Sequence, residues 1–253
     1  MPDGATIADY LSKVSSGDIL SLASNGSYTL DADENGFAAI LSGSAARHTI
    51  IKGNNAIVTG GILGLLLRYK SYVTVENLTL VDQVINGVNI DRSSDISLSN
   101  INVSGDQFGA YSDLIRIQNS DRISLNGGTG GPYTTSYGAS DGVEFWGPCV
   151  DCTVDNYTVK DVTGPGTHNA FEIYGDAVDQ ICDNIVFTNC HAENMVNGFS
   201  CEGGPNSIAH TDIKAINCTA TNMADYDAQG TDGATIFVTA GTLTKRNGSV
   251  TEL

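Results

Sequence analysis

The heptapeptides that begin at Asp113 (DLIRIQN), Asp141 (DGVEFWG), Asn169 (NAFEIYG) and Asn197 (NGFSCEG) start 28 residues apart each time. Asn86 (NGVNIDR) precedes the series by 27 residues, and Asp232 (DGATIFV) follows it after a longer interval. A fixed period of this length means that one small supersecondary unit is stacked many times. Within each period, runs such as GVNI, DISLSNINVS and CTVDNYTV alternate apolar and polar residues and favour β-branched types, which marks short half-buried strands. Gly, Asn, Asp and Ser separate the runs, as turns require. Several short strands per period, stacked in register, make a β-solenoid. A leucine-rich repeat would need a leucine framework and a helical half-turn, and neither is present. A second recurrence, DNYTVKD, DNIVFTN and TDIKAIN, places Asn156, Asn184 and Asp212 in one column at the same spacing. Asp161, Asn189 and Asn217 then form another.

At the N-terminus, TIADYLSKV carries Ile7, Tyr10, Leu11 and Val14 at helical spacing. A short amphipathic helix there would cover the open end of the stack, as terminal repeats must. The expected organisation is therefore one all-β domain, 1–253, with a cap at 1–16 and about eight solenoid turns over 17–253. The cap, the GDIL entry, HTIIKGNNAIVTGG and the stacked DGVEF-type turns resemble the right-handed parallel β-helix, or pectate-lyase-like, superfamily over nearly the whole chain. That resemblance implies an activity on polysaccharides as hydrolase, lyase or uronate epimerase, or a tailspike-like adhesive role.

Charge narrows the partners. The chain has 29 acidic and 12 basic residues, a net charge of −17, which argues against nucleic acid or an anionic membrane. The longest apolar run, Ile62–Leu67, is too short to span a bilayer. The first residues lack a basic start followed by an apolar run, so no signal peptide is read there. The resemblance nevertheless implies a secreted or extracellular protein. The six cysteines (149, 152, 182, 190, 201, 218) fit the repeat as small core residues, with Cys182 in the place of Val154 and Cys190 stacked on Cys218. Disulfides Cys149–Cys152 and Cys190–Cys218 stay open as alternatives. CVDC lacks a second pair at zinc-ligand spacing, so no metal ligands are assigned.

Alternation along the first strand of each turn sends Val88/Ile90, Ile115/Ile117, Val143/Phe145, Phe171/Ile173 and Phe199/Cys201 inward. One outward column then reads Asn89, Arg116, Glu144, Glu172, Ser200. The next reads Asp91, Gln118, Trp146, Tyr174, Glu202. Neighbours in a column lie about 4.8 Å apart. Trp146 and Tyr174 offer aromatic faces for sugar stacking beside carboxylates that accept its hydroxyl hydrogen bonds, with Asn89, Asp91 and Gln118 extending the binding face. Glu144 opposite Glu172 suits the acid and nucleophile of a glycoside hydrolase, with Glu202 as an alternative partner. Arg116 would tune the pair or hold an acidic sugar. A lyase or C5-epimerase would instead use Arg116 or calcium to neutralise a uronate, and Tyr174 or His168 to move protons. The Asp-Pro-His motif of alginate-epimerase-like β-helices is absent, with Glu172, Ile173 and Tyr174 standing there, and the strand lysines and arginines of small pectate lyases are unmatched. A non-catalytic carbohydrate-binding face is the third reading. The stretch Asn126–Ser140, with Tyr133 and Tyr137, is expected to be a loop walling the groove. Ala224–Gly233 is expected to be an insertion whose Asp225, Asp227 and Asp232 could take calcium. No cofactor is required, calcium is allowed, the partner is a polysaccharide or oligosaccharide, and the oligomeric state is open.

Overall fold

Two parallel sheets wind around one core in the computed structural model, which describes residues 6–107, 112–135, 138, 140–206 and 208–252. The smaller sheet carries the first strand of each turn. Its eight strands are Leu63–Arg68, Asn86–Asp91, Ile115–Gln118, Val143–Trp146, Asn169–Tyr174, Asn197–Glu202, Tyr226–Thr231 and Arg246–Gly248, stacked in chain order. The larger sheet has fourteen strands and includes the long bent strands Thr49–Gly60, Ser71–Val81, Ser94–Gln107, Asp121–Thr135 and Val150–Lys160. The chain is the β-solenoid that the repeat implies and, in its parallel sheets, the right-handed parallel β-helix that the resemblance implies, and helix Ile7–Leu11 buries Ile7 and Leu11 at its first end.

The inward residues form continuous stacks because each rung presents the same position to the core. Val88, Ile115, Val143, Phe171 and Phe199 are all fully buried, as are Ile90, Ile117, Phe145, Ile173 and Cys201. Phe171 and Phe199 stack with ring centroids 4.7 Å apart and planes 8° from parallel, while Phe187 meets both from the facing sheet. Gly142 follows Asp141 because a side chain there would come within 2.4 Å of the Ala170 carbonyl oxygen on the next rung. All six cysteines are free, buried thiols. They fill core volume as small apolar groups.

The corners of the larger sheet need a left-handed residue, and asparagine tolerates that conformation better than other side chains with a Cβ. Asn77, Asn100, Asn156, Asn189 and Asn217 all have φ between 52° and 56°. Their amides also bridge rungs, Asn100 donating to Asn77 at 2.9 Å and Asn217 to Asn189 at 2.7 Å. Asn217→Ala should therefore cost about 1–2 kcal/mol, from the strained corner and the lost bridge. Chemical denaturation would show this as a lower midpoint at unchanged slope.

The constant 28-residue spacing of the smaller sheet hides a shift in the larger one. Glu144 pairs with Glu172, but Asp155 pairs with Thr188, because extra residues after Tyr174 are offset by a shorter connection before Asn197. Asn156 therefore shares its corner with Asn189 and Asn217, whereas Asn184 and Asp212 belong with Asp151. Cys182 follows the same shift: it lies against Cys149, and Val154 faces Phe187. The segment expected as a loop, Asn126–Ser140, is largely the continuation of strand Asp121–Thr135. The expected insertion contains a full rung, Tyr226–Thr231, and Asp232 begins the return to the larger sheet rather than a rung of the smaller one. Asp227 is buried there, accepting from the backbone N–H groups of Thr244 and Lys245 at 2.8 and 3.0 Å. It is a structural cap on the turn.

Candidate active site

Arg116, Glu144, Trp146, Glu172, Tyr174 and Glu202 line one groove of about 730 Å³ on the smaller sheet. Register puts Glu144 between Arg116 and Glu172, and Trp146 between Gln118 and Tyr174. Two further buried carboxylates join them, Asp113 and Asp141. Each serves first as a staple: Asp113 Oδ1 accepts from the Asp141 backbone N–H at 3.0 Å, and Asp141 Oδ1 from that of Asn169 at 2.6 Å. This fits the Asp or Asn that opens the five successive rungs at Asn86, Asp113, Asp141, Asn169 and Asn197. Strand alternation alone sends Asp141 inward with Val143. The strand begins only at Val143, however, so Asp141 sits on the corner and its carboxyl faces the groove.

Arg116 Nε lies 2.7 Å from Asp113 Oδ2 and 2.6 Å from Glu144 Oε2. Its single N–H is aligned on Asp113, which leaves Glu144 Oε2 buried in an ion pair without an aligned hydrogen-bond donor. The Trp146 ring covers the guanidinium, whose carbon is 4.5 Å from the ring centroid. A tryptophan beside a glutamate on this face thus shields the cation that serves the glutamate. Trp146 and Tyr174 meet at 79°, so they form a corner, where sequence alone suggests a flat stacking platform. The excursion after Tyr174 fixes that corner, with Gln180 Oε1 accepting from the Trp146 indole N–H at 3.4 Å and from the Asp176 backbone N–H at 2.9 Å.

On the other side, Glu172 Oε1 accepts from Asn169 Nδ2 at 2.8 Å, and Glu202 Oε1 accepts from Ser200 Oγ and Gln229 Nε2 at 2.7 and 2.8 Å. Glu172 touches no cation among the described residues. One oxygen each of Asp141, Glu144 and Glu172 lie within 4.8 Å of one another, an arrangement that can also hold a cation. Burial chiefly, and then the charge of Asp113, push the Asp141 carboxyl up to about 7. Burial and Asp113 also raise Glu144 well above the usual range against the opposing pull of Arg116. Glu172 is raised strongly by burial first and then by Asp141, with which it shares a hydrogen bond.

These shifts have a definite sign. The folded state keeps protons that the unfolded chain releases near pH 4, so the associated stability is complete below about pH 4 and is lost as pH rises to about 7 for Asp141. The melting temperature should fall between about pH 5 and about pH 8, and Asp141→Asn should flatten that dependence. Scanning calorimetry across the range checks both statements.

Several expected site residues lie elsewhere. Asn89 and Asp91 share the columns but sit on the rung before the groove, Gln118 stands on the Arg116 rung without lining it, and Asp91 is buried between Arg68 and Arg92 at 2.9 and 3.3 Å. His168 does not overhang the face. It is buried against Ser140, whose carbonyl lies 3.0 Å from Nδ1, because it occupies the turn before the strand and that turn packs inward. Tyr133 is buried in its strand with its hydroxyl on Ser112 at 2.8 Å. Tyr137 lies outside the described residues.

No family model matches the chain, and no curated protein matches it. Among solved structures it is similar to the catalytic domain of a GH87 α-1,3-glucanase in complex with nigerose, at 13% identity and a TM-score of 0.37. A variant of a GH87 α-1,3-glucanase catalytic domain, also with nigerose, gives 14% and 0.38. Both alignments cover all of this chain, which spans 65% of the length of each of those chains.

Proposed function

We propose that the groove hydrolyses a glycosidic bond, with Glu172 as general acid and base and Glu144 as nucleophile. The observation that carries this reading is the crowding of Asp113, Asp141, Glu144 and Glu172 around the single cation Arg116. So many buried carboxyls cannot all ionise beside one positive charge, so a proton is held next to an ionised carboxylate at neutral pH. Those are the two parts glycosidic cleavage needs. Cation contact assigns the roles. Glu144 pairs with Arg116 and ionises more readily, while Glu172 faces Asp141, Glu144 and Glu202 and keeps its proton.

Glu172 then gives its proton to the glycosidic oxygen as the Glu144 carboxylate bonds to the anomeric carbon, and the leaving sugar departs as an alcohol. In the second half, Glu172 takes a proton from water, the water oxygen bonds to the anomeric carbon, and the Glu144 ester bond breaks. The crowding of Glu172 by Asp141 favours its reprotonation in that step. Glu144 and Glu172 stand on adjacent rungs with one oxygen of each within 4.8 Å of the other, nearer the separation of about 5–5.5 Å that accompanies retention than the wider one of an inverting site. A panel of neutral and uronate polysaccharides, followed by reducing ends and by proton NMR of the first product, tests the reading. New reducing ends with the retained anomer are expected, and the inverted anomer overturns the Glu144–Glu172 assignment.

The close approach of the Asp141, Glu144 and Glu172 oxygens favours a second reading, a calcium-assisted lyase or epimerase on a uronate polymer. Activity that requires calcium and yields unsaturated uronate absorbance selects it over hydrolysis. Binding of an oligosaccharide with no cleavage by wild type would select a carbohydrate-binding face.

A further inference from the structure

The carboxylates that catalysis uses are not the only ones in the groove. Asp176, Glu202, Asp225 and Asp232 also line it, set around the rim and far end, and among the described lining residues the only lysine or arginine is Arg116. That one charge is already shared between Asp113 and Glu144. Glu202 is held by two donors, Ser200 and Gln229, that fix its orientation toward the groove as an acceptor. On the floor, Glu144 Oε2 is buried and lacks an aligned donor, because the Arg116 N–H beside it points to Asp113. Among the described lining residues the groove therefore sets many negative acceptors against one cation that two of them already share, its other donors being neutral groups such as the hydroxyls of Thr167, Tyr174, Tyr226 and Thr231. A neutral glycan can donate hydroxyl hydrogen bonds to the rim carboxylates but does not offset their charge, and a uronate polymer is repelled by them. An ammonium group carries three donors and the opposite charge, and answers both conditions.

We infer that the substrate is a polysaccharide bearing protonated amino groups, of the poly-glucosamine type, bound across the groove between Glu202, Asp232 and Asp176 at the strand ends and Asp225 at the strand starts. The inference rests on the carbohydrate reading of the site, and its test separates the two. Fully deacetylated glucosamine oligomers, the same oligomers after N-acetylation, and neutral glucan oligomers of equal length would be compared by calorimetric binding and by reducing-end release. Each would be run at low salt and at about 0.3 M salt. N-acetylation keeps the ring and linkage and removes the charge while adding an acetyl group, and the neutral glucan supplies the uncharged form without that group. The deacetylated oligomers should bind at least about tenfold tighter than their acetylated forms at low salt, with most of that advantage lost at high salt. Asp176→Asn/Asp225→Asn/Asp232→Asn should raise Kd for the deacetylated oligomers about tenfold. Where an oligomer is cleaved, it should raise KM similarly with little change in kcat.

Equal affinity for both forms, no measurable binding of the deacetylated oligomers, or an unchanged Kd in the triple variant overturns the inference. Cleavage of a neutral glycan alongside any of these leaves the paired-glutamate reading intact. Tight, salt-sensitive binding of the deacetylated oligomers without cleavage of any sugar supports the ligand class and counts against hydrolysis.

Discussion

Glu172→Gln should lower turnover about a thousandfold while raising the melting temperature at neutral pH. The first effect follows from loss of the proton that Glu172 delivers to the leaving oxygen, a contribution that general acids make on the order of 10²–10⁴-fold. The second follows from the crowding itself. Burial and the charges of Asp141, Glu144 and Glu202 all disfavour the ionised glutamate, so a neutral amide of the same shape removes that strain. The Asn169 bond to Oε1 can persist, since the glutamine carbonyl accepts where the carboxylate did. Initial rates on the best cleaved polysaccharide and calorimetry at about pH 7 would be read together. A variant that is both inactive and less stable would mean that Glu172 holds the groove together instead of carrying the proton. For Glu144→Gln a comparable loss of rate is expected without the gain in stability, because the amide cannot neutralise Arg116.

Phe171→Ala is expected to destabilise the protein by about 3–5 kcal/mol, the usual range for deleting a buried aromatic ring. Phe171 is fully buried and contacts Phe199 above it and Phe187 across the core, so its removal leaves a cavity bounded on two sides by rings that have lost a partner. In a domain of this size each kcal/mol moves the melting point by about 2–4 °C, so a fall of about 6–20 °C should appear in calorimetry. Its strand neighbours Ala170 and Glu172 are a core residue and the proposed acid, so activity should fall together with stability. Phe171→Leu, which keeps much of the volume, should recover most of both. If the alanine variant lost less than about 1 kcal/mol, the stack would not be the continuous core described above.

The winding of the chain was legible because its signal is redundant: one period repeats the same apolar alternation in every turn. The outward columns followed for the same reason, and Arg116, Glu144, Trp146, Glu172, Tyr174 and Glu202 meet in one groove. Three kinds of residue escaped. Asp113 and Asp141 stand on corners, where alternation stops, so their carboxyls reach the groove from positions that parity assigns to the core. Their signal was present as the Asp or Asn that opens the five rungs from Asn86 to Asn197, but it reads first as turn chemistry. Asn156, Asp161 and Cys182 left the columns expected of them because a lengthened connection and a shortened one cancel within 28 residues, which a period count cannot detect. The third kind is burial on the far side of a turn. His168 and Tyr133 look available in the sequence, yet their turn and strand pack inward. The angle between Trp146 and Tyr174, and the guanidinium under the indole, depend on side-chain rotation that no column predicts.

The cancelling length changes around Tyr174 also bear on how such a groove can diversify. The rungs act as an index: Glu144 and Glu172 keep their separation whatever the connection that follows them, since the pairing of the smaller sheet did not move when the larger sheet slipped. Edge segments such as the one carrying Gln180 can then lengthen, shorten or be exchanged while the reacting groups stay in place. Lineages built on this frame would change what they accept through the rim and keep what they do through the floor. An engineer could graft rims onto one unchanged set of carboxylates in the same way.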